Sequence, residues 1–153
     1  MIPVPAFFSD YQARVDAELR TLVPSEGEPV QRSMAYTLHA PSKRVRPVLT
    51  MLSAELCGET PAKALAAAAA TELVHAASLI LDDLLDVEGN PAETGKAVRV
   101  DVKKTTFVSF SGVDGARLLA RELCQTANGA LTPFGRRADR LRELSAFVAG
   151  RNV

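Results

Sequence analysis

Leu79-Ile80-Leu81-Asp82-Asp83-Leu84-Leu85-Asp86-Val87-Glu88-Gly89-Asn90 closes a long apolar run with three aspartates that no hydrophobic pattern calls for. The run behind it, rich in alanine and leucine and free of proline and glycine after Pro61, predicts one long helix over 61–86. At about 100° per residue, such a helix puts Asp82 and Asp86 on one face, a turn apart, with Asp83 beside them. Carboxylates near a helix C-terminus oppose the helix dipole, so a merely solvated helix end carries a penalty here. Three hard oxygen donors suit Mg²⁺, which keeps several waters and is held by one or two carboxylates together with substrate phosphates. Taken alone, the cluster fits either a metal and phosphate site or a solvated helix end.

Working backwards, His75 lies seven residues before Asp82 and eleven before Asp86, which keeps all three on one stripe. On its own, His75 also fits a satisfied core histidine. Further upstream, Ser42-Lys43-Arg44-Val45-Arg46-Pro47 sets three cations just ahead of a proline favoured in the first turn of a helix. Free backbone N–H groups there, with the cations, would cradle a diphosphate; the same residues also fit an ordinary basic loop. Downstream, Lys96 and Lys104 flank Asp101 in the irregular stretch from about 87 to 101, placed to fold back toward diphosphate oxygens or to be solvated. Arg136, Arg137, Arg140 and Arg142 read as a solvated basic face.

The whole chain fits one compact all-α bundle of antiparallel helices. A chain of 153 residues buries about 68–70% of its unfolded surface in one core. Low aromatic content and the alanines from 64 to 70 favour closely approaching helices. Helices are predicted near 7–23, 28–39, 46–57, 61–86, 113–131 and 136–150, with no strand pattern between them. Pro24, Pro41, Pro61, Pro91 and Pro133 punctuate the gaps. The 18 basic and 18 acidic residues cancel, which removes a general drive toward nucleic acid or anionic membranes. Leu65 to Leu81 approaches the length of a membrane span, but Glu72 and His75 interrupt it, so a buried core helix is expected. Cys57 and Cys124 lack metal-ligand spacing and read as free thiols. Met1 to Phe8 lacks the basic start and long apolar centre of a signal peptide, so a cytoplasmic protein is expected.

Lys43-Arg44-Val45-Arg46-Pro47, followed by Glu72-Leu73-Val74-His75 and Leu81-Asp82-Asp83, resembles the trans-isoprenyl diphosphate synthases, the family of the farnesyl and geranylgeranyl diphosphate synthases. The likeness continues through Gly89, Thr94-Gly95-Lys96, Asp101 and Lys103-Lys104-Thr105-Thr106-Phe107 to Leu144 to Arg151, nearly the whole chain. Members of that family carry two aspartate-rich motifs on two helices, whereas this chain has one. Residues 1–86 resemble the family's N-terminal part through its first motif, and 82–153 resemble the second motif and the C-terminal part. An internal deletion is implied, which takes with it the arginines that follow the first motif.

The resemblance implies a shortened isoprenoid-synthase-type fold and a Mg²⁺-dependent prenyltransferase that condenses isopentenyl diphosphate with an allylic diphosphate. It implies metal binding by Asp82, Asp83 and Asp86, and contact of Lys96 and Lys104 with the allylic diphosphate. Lys43, Arg46 and His75 would take isopentenyl diphosphate. The catalytic set is then Asp82, Asp83, Asp86 and Lys96. Leu49, Leu73, Ala77 and Leu81 would line the hydrocarbon pocket, and the small Ala77 and Ser78 point to a geranylgeranyl-length product. A homodimer, with helix 61–86 near its interface, would bring two motifs together. Two other readings stand beside the enzyme: a diphosphate- or prenyl-binding subunit, acting without turnover or through a partner, and a helical remnant with a vestigial acidic cluster.

Overall fold

The structure is a computed structural model that describes residues 5–88 and 107–150. Every element among the described residues is helical. In chain order they are α1 (Ala6–Leu22), α2 (Pro29–His39), α3 (Val45–Leu56), α4 (Pro61–Glu88), α5 (Phe107–Ala130), a 3₁₀ segment (Thr132–Ala138) and α6 (Asp139–Ala149). The first four lie within two residues of their predicted bounds.

Each helix buries the stripe its sequence spells out. Tyr11, Val15 and Leu19 recur every four residues on α1, and all three are buried. Met34, Ala35 and Leu38 do the same on α2, whose start is held by a capping box in which the Gln31 side chain accepts the Glu28 N–H at 3.0 Å. Pro47, Val48 and Met51 form the buried face of α3. Full burial of each large aliphatic chain contributes about 1.5–3 kcal/mol.

Helix α4 runs through the middle of the bundle, packed chiefly against α5 and then α3. Ala68, Ala69, Leu73, Ala77, Ile80 and Leu84 are sealed in the core. Small side chains let the neighbouring helices approach closely, as expected. Those alanines pack against the chain's own helices. The span Pro61–Val87 is long and apolar enough to cross a membrane, but its core stripe is covered by the chain's own helices.

The C-terminal region agrees with the sequence reading at one point and departs from it at another. Within α5, Gly112 takes a non-helical φ of 70° and ψ of 173°, open to glycine without a Cβ clash, so a short helical segment from Phe107 is set off and the helix proper begins at 113 as expected. The last helix starts at Asp139, not at 136, because Gly135 takes φ 55°, ψ −141° and confines Thr132–Ala138 to 3₁₀ turns. Arg142 then serves as a clamp on that turn, donating to the carbonyls of Leu131 and Gly135 and to the Asp139 carboxylate, each at 2.8 Å. It is not part of a solvated basic face, whereas Arg136, Arg137 and Arg140 are exposed as expected.

Candidate functional site

The acidic end of α4 and the start of α3 form the candidate site. On α4, Asp82 and Asp86 are exposed, Leu79 is exposed between them and His75, and His75 is half-buried. These four positions make one stripe, half a turn away from Leu73, Ala77 and Leu84. The wheel therefore corrects one expectation: Leu73, Ala77 and Leu81 belong to the closed core and do not line an open pocket. Leu49 on α3 and Leu79 on α4 are the apolar groups left outside.

Lys43 and Arg46 are exposed, in the turn before α3 and in its first turn. The His75 imidazole links the two helices electrostatically. Its pKa lies below the ordinary 6.5, first because burial disfavours the charged ring and next because Arg46 repels it, while Glu72 and Asp82 pull the other way. Arg46, His75 and Asp82 thus share one local field. The hydroxyls of Thr50 and Thr71 meet at 3.5 Å between the same helices, and Thr50 also donates to the Arg46 carbonyl at 3.1 Å.

Arg44 behaves differently from its neighbours, which corrects the three-cation cradle to two exposed cations. Its side chain is buried, and it reaches three helices. Nε donates to Asp16 of α1 and Nη1 to Glu72 of α4, each at 2.8 Å, while Nη2 donates to the carbonyl of Leu38 in α2. Ser42 adds a hydroxyl donated to Glu72 at 3.3 Å. Burial works against the guanidinium charge, but the hydrogen bonds it donates to Glu72 and Asp16 outweigh that and raise its pKa. The backbone of Arg44 sits at φ 49°, ψ 33°, a left-handed conformation costing about 1–2 kcal/mol that these contacts hold in place. An acid inside an apolar run, as Glu72 is, was the available signal for such a partner.

Asp83 also differs from the other aspartates. It is half-buried, and its carboxylate accepts the Phe107 N–H at 3.4 Å at the head of α5, where a negative charge complements the helix dipole. Among the described residues, no three of His, Cys, Asp and Glu converge as a ready-made metal cage. The donor set instead fits Mg²⁺ held by exposed carboxylates one turn apart, with phosphate oxygens and water completing the shell. Lys96, Lys104 and Asp101 lie outside the described residues.

An all-α bundle with this arrangement has the isoprenoid synthase fold. A geranylgeranyl pyrophosphate synthetase from the archaeon Geoglobus acetivorans superposes with a TM-score of 0.65 at 32% identity, over 82% of this chain and 37% of that one. The sequence profile of the polyprenyl synthetases matches residues 28–88. The chain is thus similar to the polyprenyl synthetases, through a profile over residues 28–88 and relatives aligned along most of its length. Farnesyl diphosphate synthase of Geobacillus stearothermophilus is 30% identical over 97% of this chain and 50% of its own length. A mitochondrial geranylgeranyl pyrophosphate synthase of Arabidopsis thaliana is 32% identical over 72% of this chain and 37% of its own. The chain therefore spans half or less of these relatives.

Proposed function

We propose that the protein is a Mg²⁺-dependent prenyltransferase that condenses isopentenyl diphosphate with an allylic diphosphate. The observation that supports this most is the face of α4 that carries His75, Asp82 and Asp86, on a helix packed against α3, whose start presents the exposed Lys43 and Arg46. In this reading, Lys43, Arg46 and His75 bind the diphosphate of isopentenyl diphosphate. Asp82 and Asp86, with Asp83 beside them, would hold the ion, and Lys96 and Lys104 would add charge for the allylic diphosphate. A Mg²⁺ held there would supply positive charge to stabilise a departing diphosphate. The allylic C–O bond breaks with its electron pair going to the diphosphate. The alkene of isopentenyl diphosphate then attacks the allylic cation, and loss of a proton restores a double bond. No covalent nucleophile is needed; the chain orients two substrates and excludes water from the cation.

A geranylgeranyl-length product, a cytoplasmic location and a homodimer that pairs two acidic helix ends belong to the same proposal. A monomeric mass at micromolar concentration would remove the dimer. The alternative is a diphosphate- or prenyl-binding subunit that acts without turnover or through a partner. The deciding experiment incubates purified protein with Mg²⁺, isopentenyl diphosphate and each allylic diphosphate, beside Asp82→Ala, with mass spectrometry of products. Chain-extended product lost in the variant supports the enzyme. Mg²⁺-dependent ligand binding without product selects the binding subunit.

A further inference from the structure

We infer that Arg44 is a positioning residue for the candidate site, its buried fork fixing the start of α3 so that Lys43 and Arg46 face outward beside the carboxylate stripe of α4. The inference rests on the reading of that stripe as a diphosphate site. Arg44 sits between Lys43 and Arg46 and shares neither their exposure nor their task. Its guanidinium bridges Asp16 and Glu72 at 2.8 Å each and takes the Leu38 carbonyl, so one side chain locks the α3 entry to α1, α2 and α4 at once. Glu72 is one turn ahead of His75 on α4. The strut therefore ties the helix that carries the cations to the helix that carries the imidazole and aspartates, one turn from the imidazole itself. A guanidinium is suited to this because its donors form a rigid planar fork, which an ammonium group lacks. The left-handed turn at Arg44 is the local consequence: the chain twists at this residue to send its side chain inward while the flanking cations stay exposed.

Arg44→Lys keeps the charge and loses the fork, so it separates geometry from electrostatics. His75 supplies a reporter that needs no ligand. Arg46 is among the charges that shift its titration, and neither Arg44 nor Asp16 is. The chain has two histidines, so a His39→Gln control assigns the NMR signal. The expected result is that Arg44→Lys raises the His75 midpoint toward the value in Arg46→Gln. In an Arg46→Gln background, Arg44→Lys should add no further rise, which excludes an effect through Glu72 alone. Asp16→Asn, which removes one strut at a half-exposed position, should act in the same direction and decides the matter if Arg44→Lys fails to fold. Binding of inorganic diphosphate with Mg²⁺ should weaken on the order of tenfold in Arg44→Lys, with no added loss once Arg46 is replaced. Lower thermal stability with an unchanged His75 midpoint would overturn the inference and leave Arg44 a purely structural residue. A wild-type protein that binds no diphosphate would overturn the diphosphate reading, while the His75 midpoint still tests the positioning.

Discussion

Arg44 and Glu72, 28 residues apart in sequence, meet at 2.8 Å with side chains only 4% and 9% exposed. Two charges at that depth are stable only together, because each has lost its water. Replacing Glu72 by alanine leaves Asp16 as the one carboxylate paired with the guanidinium and should cost about 1–3 kcal/mol. For a chain of this size that lowers the melting temperature by roughly 2–12 °C. Glu72→Gln, which keeps an acceptor, should cost less. The exposed Arg140–Glu143 pair is shorter, at 2.6 Å, but its side chains are 89% and 61% exposed. Glu143→Ala should change stability by under about 1 kcal/mol. Thermal unfolding of the three variants checks the contrast.

His75 predicts a pH dependence with a definite sign. Its folded-state pKa is depressed below 6.5, so between that lowered value and 6.5 the unfolded chain binds more protons than the folded one. The contribution of neutral His75 is therefore complete above pH 6.5 and declines as pH falls through the folded pKa. Urea midpoints measured from pH 8 to 5 should fall more for the wild type than for His75→Gln. Arg46→Gln should narrow the window, because its charge supplies part of the depression.

Much of this was written in local pattern. The stripes Tyr11-Val15-Leu19 and Met34-Ala35-Leu38 follow helical spacing, and the common face of His75, Asp82 and Asp86 follows from the same arithmetic. The helical wheel also contains the fact that Leu73, Ala77 and Leu81 point away from that face. A family likeness draws them into the pocket, and the burial of all three corrects it. Arg44 was not legible, since its inward turn depends on Asp16 and Glu72, 28 residues away in either direction. Nor was the short helical segment from Phe107, although the break that follows it at Gly112 was. Arg142 matches its basic neighbours in sequence and differs only because the 3₁₀ turn offers it two carbonyls.

The three aspartates should not be equivalent. Asp82 and Asp86 are exposed, whereas Asp83 holds the head of α5 through the Phe107 N–H. Asp82→Ala and Asp86→Ala should weaken Mg²⁺-dependent diphosphate binding by tenfold or more, on the order of 1.4 kcal/mol each, with little change in melting temperature. Asp83→Ala should also lower stability, by about 0.5–2 kcal/mol, through the lost cap. Calorimetric titration beside thermal unfolding separates the two patterns.

The two thiols offer a test of the core itself. Cys57 is exposed and Cys124 is buried beneath α6, where burial pushes its thiol pKa up despite a hydrogen bond from Ser145. The thiolate is the reactive form, so Cys124 is protected twice, by access and by protonation. Alkylation of native protein at neutral pH should modify Cys57 quickly and Cys124 only as fast as the helices open. Equal rates at both cysteines would contradict the packing of α6 on α5.

Leu84 and Leu79 lie five residues apart on α4 and turn opposite ways: Leu84 is 0% exposed and Leu79 is 49% exposed. Leu84→Ala empties a sealed site and should cost about 2–5 kcal/mol, since transfer energy and cavity both count. Leu79→Ala removes a side chain already in contact with water and should shift stability by no more than about 0.5 kcal/mol. Its effect belongs elsewhere if the face between His75 and Asp82 takes a prenyl chain. Each buried methylene of such a ligand gains about 0.8 kcal/mol, so losing the leucine surface should weaken a long allylic diphosphate while leaving inorganic diphosphate unaffected. Paired titrations with those two ligands distinguish an apolar binding face from a leucine that is merely exposed.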